Sequence, residues 1–449
     1  MEKNNQKVIN GWYMYDWANS AYNLVITSTI FPIYFGATAK GQHGSDIVNF
    51  LGFEVENSSL FSFSISFAFM VVACVNPLLT AIADYSHRKK RFLQIFCYLG
   101  SISCALLYFF TTDTLTFSVF AFILATIGYS GSLVFYNAYL PEIVTEDRFD
   151  QVSAKGYAMG YIGSVLLLLF NLSMVMQPAW YGIDPHNKSL APRIAFLSTG
   201  IWWALFAQYT FRRLKSRKPV KEPGLRWVLK GYQELLKVLR ELSAQSTLKR
   251  YLIAFFFYSL GVQTVMYVAT IFADKELHLP EENLIITILI IQLVAIAGAY
   301  GFASLSRKYG NVKTLIMAIV VWVGICCWAY FVTSGNEVYG LATLIGLVMG
   351  GIQALSRSTY AKFIPKNIPD TAGRHTAGRH SASYFNFYDI VEKLSIVLGT
   401  LMYGLVNQLT GNVRSSFIVL AFVFLLGLLF LSRIILQKKP LPLVELSEL

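Results

Sequence analysis

Charged residues are scarce in this sequence: they make up 14% of the 449 residues, whereas soluble domains carry about 25%. The hydrophobic fraction is 55% and the mean hydropathy is +0.51. Apolar segments long enough to span a bilayer, about 20 residues each, recur along the whole chain. The composition excludes a soluble globular domain and predicts an integral membrane protein.

Motifs for metal, redox or nucleotide chemistry are also missing. The five cysteines lie inside apolar runs without a Cys-x-x-Cys pair, and the six histidines are scattered through loops. We interpret the cysteines as small buried hydrophobic residues and expect no metal site and no cofactor. The sequence has no G-x-x-x-x-G-K-[ST] phosphate loop, so ATP-driven transport would need another subunit. We expect the chain not to be an enzyme.

The apolar runs predict an all-α integral membrane fold with twelve transmembrane helices. We place the spans at about 11–36, 58–82, 92–111, 115–137, 154–176, 192–211, 250–272, 284–305, 314–333, 338–362, 384–410 and 413–436. The predicted units are an N-terminal six-helix bundle (1–211), a cytoplasmic linker (212–249), a C-terminal six-helix bundle (250–436) and a cytoplasmic tail (437–449).

The formal charge of +12 is spread over loops and does not form one patch. Most of the lysines and arginines fall on one side of the predicted topology, which the positive-inside rule makes the cytoplasmic side. We therefore expect a multi-pass protein of the inner (plasma) membrane with both termini in the cytoplasm, and no nucleic-acid partner. The N-terminus imitates a signal peptide, but its apolar run is too long and contains Asp16, so we expect no cleavage.

Two landmarks recur about half a chain apart. The basic turn at residues 81–91 has a weaker echo at residues 301–313, and Tyr139-Leu140-Pro141 has an echo in Phe363-Ile364-Pro365. Half-chain repeats in membrane proteins are typical of transporters whose substrate site lies between the halves. The repeat predicts two pseudo-symmetric bundles.

Two segments between spans have other features. From Leu225 onward, leucines and aromatic residues recur at helical spacing between lysines and arginines, which predicts an amphipathic helix on the inner membrane surface or between the halves. A helix that binds a partner protein is the alternative. The pentapeptide Thr-Ala-Gly-Arg-His occurs twice in succession at 371–380, and we interpret it as a slack duplicated insertion.

Polar residues inside the spans are expensive and usually face a cavity or a partner. Asp16 either lines the cavity or lies near the headgroups within an aromatic belt. Arg357 either has a role in substrate binding or gating, or extends to the membrane surface. Gly156 and Gly160 form a face suited to close helix packing. The candidate substrate-binding residues are Asn19, Asn23, Tyr129, Tyr136, Tyr157, Tyr161, Gln263, Tyr267, Gln292, Gln353, Arg357 and Asn386.

The eleventh predicted span contains the densest group of charges. Asp389 and Lys393 are four residues apart and Glu392 lies beside them, so they form either an internal ion pair or a site for protons or substrate. Together with Asp16, these three residues are our candidates for proton coupling.

Several motifs make the sequence similar to a known family. Ala81-Ile82-Ala83-Asp84, followed by Arg88-Lys89-Lys90-Arg91, resembles the loop motif of the major facilitator superfamily. The segments 11–20, 350–358 and 385–393 (Gly-Trp-Tyr-Met-Tyr-Asp-Trp-Ala-Asn-Ser, Gly-Gly-Ile-Gln-Ala-Leu-Ser-Arg-Ser and Phe-Asn-Phe-Tyr-Asp-x3-Lys) resemble the branch of fungal autophagy-related vacuolar amino-acid effluxers and their bacterial relatives.

The resemblance implies two six-helix bundles, alternating access, and a gate in which Asp84 engages the basic turn. The candidate gating residues are Asp84, Arg88 and Arg91. His87 and Tyr85 depart from the motif. Arg307 stands where the second half usually has an acid, so we expect the second Asp–Arg lock not to operate.

Together these features predict a monomeric secondary active transporter (a permease) for small polar solutes. The solutes are amino acids or related metabolites, with amino-acid efflux suggested by the resemblance, and the coupling ion is H⁺ or Na⁺. The alternatives are a lipid or lysolipid flippase and a non-transporting receptor with a transporter fold.

Overall fold

The structure of the protein is a computed structural model. It describes residues 3–41, 44–215, 226–275, 281–365, 381–410 and 413–436. These residues are almost entirely helical, as expected where no water is available to satisfy backbone groups. Nine helices in these ranges are long and apolar enough to cross a membrane by their length and composition.

The first half of the chain begins with one long membrane segment made of three parts. It consists of α1 (Gln6–Ala21), a π-helical stretch (Tyr22–Thr29) and α2 (Ile30–Thr38). The following helices are α3 (Asn57–Ser86), α4 (Lys89–Leu106), α5 (Leu115–Asn137), the short α6 (Leu140–Ile143), α7 (Phe149–Met176) and α8 (Leu190–Arg213).

The second half contains six more membrane helices, preceded by one helix in the linker. The linker helix is α9 (Arg226–Ala244), and the membrane helices are α10 (Ser246–Lys275), α11 (Glu281–Tyr309), α12 (Asn311–Phe331), α13 (Gly335–Phe363), α14 (Ser381–Thr410) and α15 (Val413–Leu436). The twelve membrane segments form the predicted all-α fold of two six-helix halves.

Helices pack on one another both within each half and between the halves. In the first half, α1 packs on α7 and α8, and α4 packs on α5 and α8. In the second half, α11 packs on α13, and α15 packs on α10 and α12. Between the halves, α3 packs on α14, and α7 packs on α11 and α13. We call the end of the molecule that carries Lys89, Arg148 and Lys308 the basic end.

The linker helix α9 lies in the segment where the sequence predicts an amphipathic helix. It packs along α3, where Val238 is buried. Glu241 accepts a hydrogen bond of 2.8 Å from the Tyr384 hydroxyl on α14. This helix therefore contacts membrane helices of both halves.

The structure differs from the predicted spans in several places. A two-stranded hairpin, β1 (Ile47–Phe50) and β2 (Phe53–Glu56), fills the first long loop. Lys40 bonds Asp46 beside this hairpin, and the hydrogen bond lowers the pKa of the carboxyl group. The helices α4, α7 and α14 begin several residues earlier than predicted, and the first turns of α4 and α7 contain charged residues. Two of the five cysteines, Cys74 and Cys327, are exposed, so the prediction that all five are buried is wrong.

Glycines let some helices approach closely, as is common in membrane bundles. A Cβ atom at Gly346 on α13 would lie 2.5 Å from the carbonyl oxygen of Ile291 on α11. Backbone atoms cannot move aside as a flexible side chain can, so this contact needs glycine.

We expect Gly346→Ala to destabilise the protein by about 1–3 kcal/mol, because the added methyl group overpacks the α11–α13 contact. Gly324→Ala on α12 is the matched control, since a Cβ there meets nothing within 4 Å. Thermal unfolding of the two purified variants in detergent tests this. Equal midpoints would contradict the tight contact.

Candidate functional site

A buried arginine joins the two halves. Arg357 on α13 is 2% exposed, and its Nη1 lies 3.3 Å from Oδ2 of Asp16 on α1. Its Nε donates to the Ser153 hydroxyl and its Nη2 to the Ser153 carbonyl on α7, both at 2.9 Å. A buried ion pair is tolerated only when further hydrogen bonds satisfy its remaining donors, and this one meets that condition.

Aromatic rings enclose the same guanidinium group. Its carbon lies 4.2 Å from the ring centroid of Tyr157 and 4.7 Å from that of Trp12, distances typical of cation–π attraction. The Tyr136 hydroxyl donates to Asp16 Oδ2 at 2.6 Å, and Trp12 Nε1 donates to the Tyr136 carbonyl at 3.0 Å. We call Asp16, Arg357, Ser153 and these three aromatic residues the Arg357 cluster.

The Arg357 cluster corrects two interpretations made from the sequence. Arg357 does not extend to the membrane surface, because both its burial and its partners keep it inside. Asp16 does not lie in an interfacial aromatic belt, since neighbouring Trp12 and Tyr15 are 0% exposed. Helical spacing alone could not reveal that a charge from each half meets here.

Glycines on α7 allow α1 to approach the cluster. A Cβ at Gly156 would lie 2.6 Å from Asp16 Oδ2 and 2.8 Å from Arg357 Nη2, and one at Gly163 would lie 2.6 Å from the Trp17 carbonyl. Gly160 faces Ser20 in the same contact. This confirms the close-packing interpretation of Gly156 and Gly160, and it shows that Gly156 also leaves room for the ion pair.

A second polar contact between the halves lies one helical turn from the cluster. The Tyr161 hydroxyl on α7 donates to Gln353 Oε1 on α13 at 2.7 Å. On the α1 side, Asn19 is 1% exposed. Its Nδ2 has no hydrogen-bond partner among the described residues. Asn19, Tyr161 and Gln353 therefore offer polar groups beside the charged cluster.

Three charges on α14 form the second buried group. Lys393 Nζ lies 3.0 Å from Asp389 Oδ1 and 3.5 Å from Glu392 Oε2, and it lies 5.5 Å from the ring centroid of Phe69 on α3. The predicted ion pair between Asp389 and Lys393 is confirmed. Glu392 is 25% exposed. We call Asp389, Glu392 and Lys393 the α14 triad.

At the basic end, Asp84 binds the amino terminus of α14. Its Oδ2 accepts hydrogen bonds of 2.8 Å from both the amide and the hydroxyl of Ser383. A carboxylate is favoured there because the first amides of a helix lack internal partners and carry partial positive charge. Lys89 Nζ lies 2.8 Å from Asp84 Oδ1, also bonds Glu142, and donates to Ser381 at 2.6 Å. We call these residues the Asp84 clasp.

The geometry of this clasp differs from the expected pairing of Asp84 with several cations of the turn. Lys89, which the sequence analysis did not single out, is the buried partner of Asp84. Arg88 is half-buried, and Arg91 is exposed on the first turn of α4. The gating assignment of Arg88 and Arg91 stays a prediction.

A second clasp joins the halves on the opposite side of the interface. Asp150, in the first turn of α7, accepts from Asn311 at 2.7 Å and from Ser306 at 2.9 Å, and lies 2.7 Å from Lys362 Nζ. Arg307 is exposed and bonds Ser304 of its own helix, and the expectation about the second Asp–Arg lock stays a prediction. We call Asp150, Ser306, Asn311 and Lys362 the Asp150 clasp.

Sequence reasoning missed most members of the two clasps and two members of the Arg357 cluster. The residues missed are Trp12, Lys89, Glu142, Asp150, Ser153, Ser306, Asn311, Lys362, Ser381 and Ser383. One feature of the sequence could have pointed to Asp150, since it is an acid at the amino end of a membrane helix. Lys362 was treated only as a topology signal.

Other predicted residues lie outside these groups. Asn23 is exposed in the π-helical stretch. Gln263 and Gln292 are half-buried, and in the described part of the chain neither makes a side-chain hydrogen bond. Asn386 is buried. The side chain of Tyr267 and the repeat at 371–380 lie outside the described residues.

Two six-helix halves bridged by polar clasps at one end define a transporter fold of the major facilitator superfamily. The transporter FucP of E. coli in its outward conformation shares this fold, with a TM-score of 0.68 and 12% identity over 96% of this chain and 99% of that chain. The protein is therefore a multi-pass membrane protein with a major facilitator fold.

The chain belongs to the Atg22-like family, because the family model "Vacuole effluxer Atg22 like" matches residues 4–440. It is 30% identical to the uncharacterized MFS-type transporter YxiO of Bacillus subtilis, over 96% of each chain. It is 23% identical to autophagy-related protein 22-1 of Phaeosphaeria nodorum, over 93% of this chain and 88% of that protein. The resemblance seen in the sequence is confirmed.

We expect Arg357→Gln to destabilise the protein by about 3–5 kcal/mol, because it leaves Asp16 buried without its cation. The double variant Asp16→Asn with Arg357→Gln is expected to recover most of the loss, since the buried charge is removed from both sides. Thermal unfolding in one detergent compares the three proteins. A double variant no more stable than Arg357→Gln would contradict the pairing.

Proposed function

We propose that this protein is a secondary active transporter that moves amino acids or related small polar solutes by alternating access, coupled to H⁺ or Na⁺. The observation that carries the proposal is the set of buried polar contacts between the halves at the basic end. The Asp84 clasp, the Asp150 clasp and the Arg357 cluster all join one half to the other. Such contacts can close one end of a central path and open again when the halves rock.

The charged groups inside the interface indicate which class of substrate would bind there. The α14 triad and the Arg357 cluster contain carboxylates and cations, with Asn19, Tyr161 and Gln353 beside them. A solute that carries both an ammonium and a carboxylate group complements such a set. The name of the family model, a vacuole effluxer, supports efflux, and the lysine and arginine distribution supports a plasma-membrane protein with cytoplasmic termini.

The acids of the two clasps lie at opposite ends of their own helices. Asp84 ends a helix of the first half and binds the amino terminus of a helix in the second half. Asp150 starts a helix of the first half and binds the α11–α12 turn together with Lys362. In our proposal, both must break before the basic end opens, so the protein is held there by two independent charge contacts.

Proteoliposome flux tests the transport function. Radiolabelled amino acids are offered with an H⁺ gradient, a Na⁺ gradient or neither, and gradient-driven flux of at least one amino acid is expected. We expect Lys393→Met to lower the flux by about tenfold or more, because it leaves two carboxylates of the triad without their cation. Arg307→Gln is the control, since Arg307 is exposed, and its flux is expected to match that of the unaltered protein.

Three outcomes of the flux experiment would overturn the proposal. The first is flux no greater than in empty liposomes for every amino acid tested, with folded protein. The second is movement of labelled lipid between leaflets in place of amino-acid flux, which would favour a flippase. The third is ligand-dependent stabilisation without any flux, which would favour a receptor.

The second clasp can be tested by hydrogen exchange. Asp150→Ala is expected to speed amide exchange at the α11–α12 turn by about tenfold or more, because each charged hydrogen bond contributes about 1.5–3 kcal/mol. Asp147→Ala is the matched control, since Asp147 is exposed three residues earlier. Equal exchange in the two variants would contradict a closing role for Asp150.

A further inference from the structure

One helix face in the first half packs along α14 over much of its length. On α3, Phe69, Asn76, Thr80 and Asp84 are spaced by seven, four and four residues, which places them within about a quarter of the helix circumference. Asn76, Thr80 and Asp84 are buried. Asp84 meets Ser383 at the basic end of this face, and Phe69 meets Lys393 farther along it. We call the stretch between these two contacts, residues 69–84 of α3 and 383–393 of α14, the α3–α14 seam.

The seam contains polar atoms that the rest of the protein does not satisfy. Asn76 is 1% exposed and Asn386 is 0% exposed. Within the described residues, neither side-chain atom of either amide has a hydrogen-bond partner, and the same holds for Asp389 Oδ2. A buried polar group without a partner costs about 1–3 kcal/mol, so three such side chains in one seam indicate a ligand.

The backbone beside Asn76 supplies one more oxygen. Pro77 lies inside α3 and has no N–H, so it cannot donate to the carbonyl of Ala73, its usual helical partner. The Thr80 hydroxyl donates to the Asn76 and Pro77 carbonyls at 2.8 and 3.1 Å. The Ala73 carbonyl therefore lacks its helical donor within one turn of Asn76.

The chemistry of these atoms selects the ligand. The acceptors are two amide oxygens, one carboxylate oxygen and one backbone carbonyl oxygen, and hard cations prefer such oxygen ligands. The α14 triad carries two carboxylates and one ammonium group, so its formal charge is −1. One monovalent cation would neutralise it.

We propose that Asn76, Asn386 and Asp389, with the Ala73 carbonyl, form a Na⁺ site in the α3–α14 seam. Its role as the coupling-ion site rests on the transport function proposed above. The ion would have ligands in both halves, so it would bind better when the basic end is closed and would favour that state by this difference in affinity.

Ion-dependent stability of the full-length protein in nanodiscs tests the site without any substrate. The unfolding temperature is measured against NaCl, KCl and choline chloride at constant ionic strength. We expect Na⁺ alone to raise it in a saturable way, because a ligand that binds only the folded state stabilises it. Asn76→Ala is expected to raise the half-saturating Na⁺ concentration by about tenfold or more. Asn171→Ala is the control, since Asn171 is an equally buried amide on α7 and its response to Na⁺ should not change.

Two further variants keep the test decisive if Asn76→Ala does not fold. Asn76→Asp retains an oxygen ligand and is expected to keep the response to Na⁺, whereas Asp389→Asn removes the charged oxygen and is expected to abolish it. A protein stabilised equally by all three salts would overturn the site. So would a Na⁺ response that survives unchanged in Asp389→Asn.

The outcomes also separate this inference from the proposed function. Amino-acid flux driven by an H⁺ gradient, with no stabilisation by Na⁺, would overturn the site and leave the transport function in place. Saturable stabilisation by Na⁺ that is lost in Asp389→Asn, with no flux of any amino acid, would establish the site and overturn the transport function.

Discussion

The contact between Arg357 and Asp16 constrains the interface more than any other interaction described. Charges of opposite sign, one from each half, leave water together, and their desolvation costs several kcal/mol per ion. Ser153, three aromatic rings and the Tyr136 hydroxyl meet that cost in part. If the halves separated, Arg357 would lose all of these partners and Asp16 would lose its cation, so the relative position of the halves is coupled to this ion pair.

The clasps at the basic end repeat the same principle with different parts. Each fixes a carboxylate of the first half to backbone or side-chain donors of the second half. In one clasp the partner is a helix terminus, and in the other it is an amide, a hydroxyl and Lys362. The two clasps thus join the halves at the same end of the molecule with different chemistry, and Arg307 belongs to neither of them.

Sequence periodicity predicted most of the fold and part of the site. Apolar runs located twelve membrane segments, and four-residue spacing found the pair of Asp389 with Lys393, because both depend on contacts within one helix. Contacts between distant helices were beyond this reasoning. The partners of Arg357, the role of Lys89 and the position of Asp150 depend on how the halves meet. The hairpin after α2 and the earlier starts of α4, α7 and α14 depend on local contacts that hydropathy does not describe.

The π-helical stretch from Tyr22 to Thr29 changes how the first membrane segment must be compared with its relatives. Its hydrogen bonds reach back five residues instead of four, and the Thr29 hydroxyl donates to the Leu24 carbonyl five positions earlier. Side chains beyond this stretch are rotated relative to those before it, so Asp16 and Thr27 do not share the phase that an ordinary helical wheel assigns them. A relative with one residue fewer in this stretch could regain a regular helix and turn its outer part by about a quarter of a revolution. A deletion of one residue in this stretch would therefore change the rotation of the outer helix as well as its length.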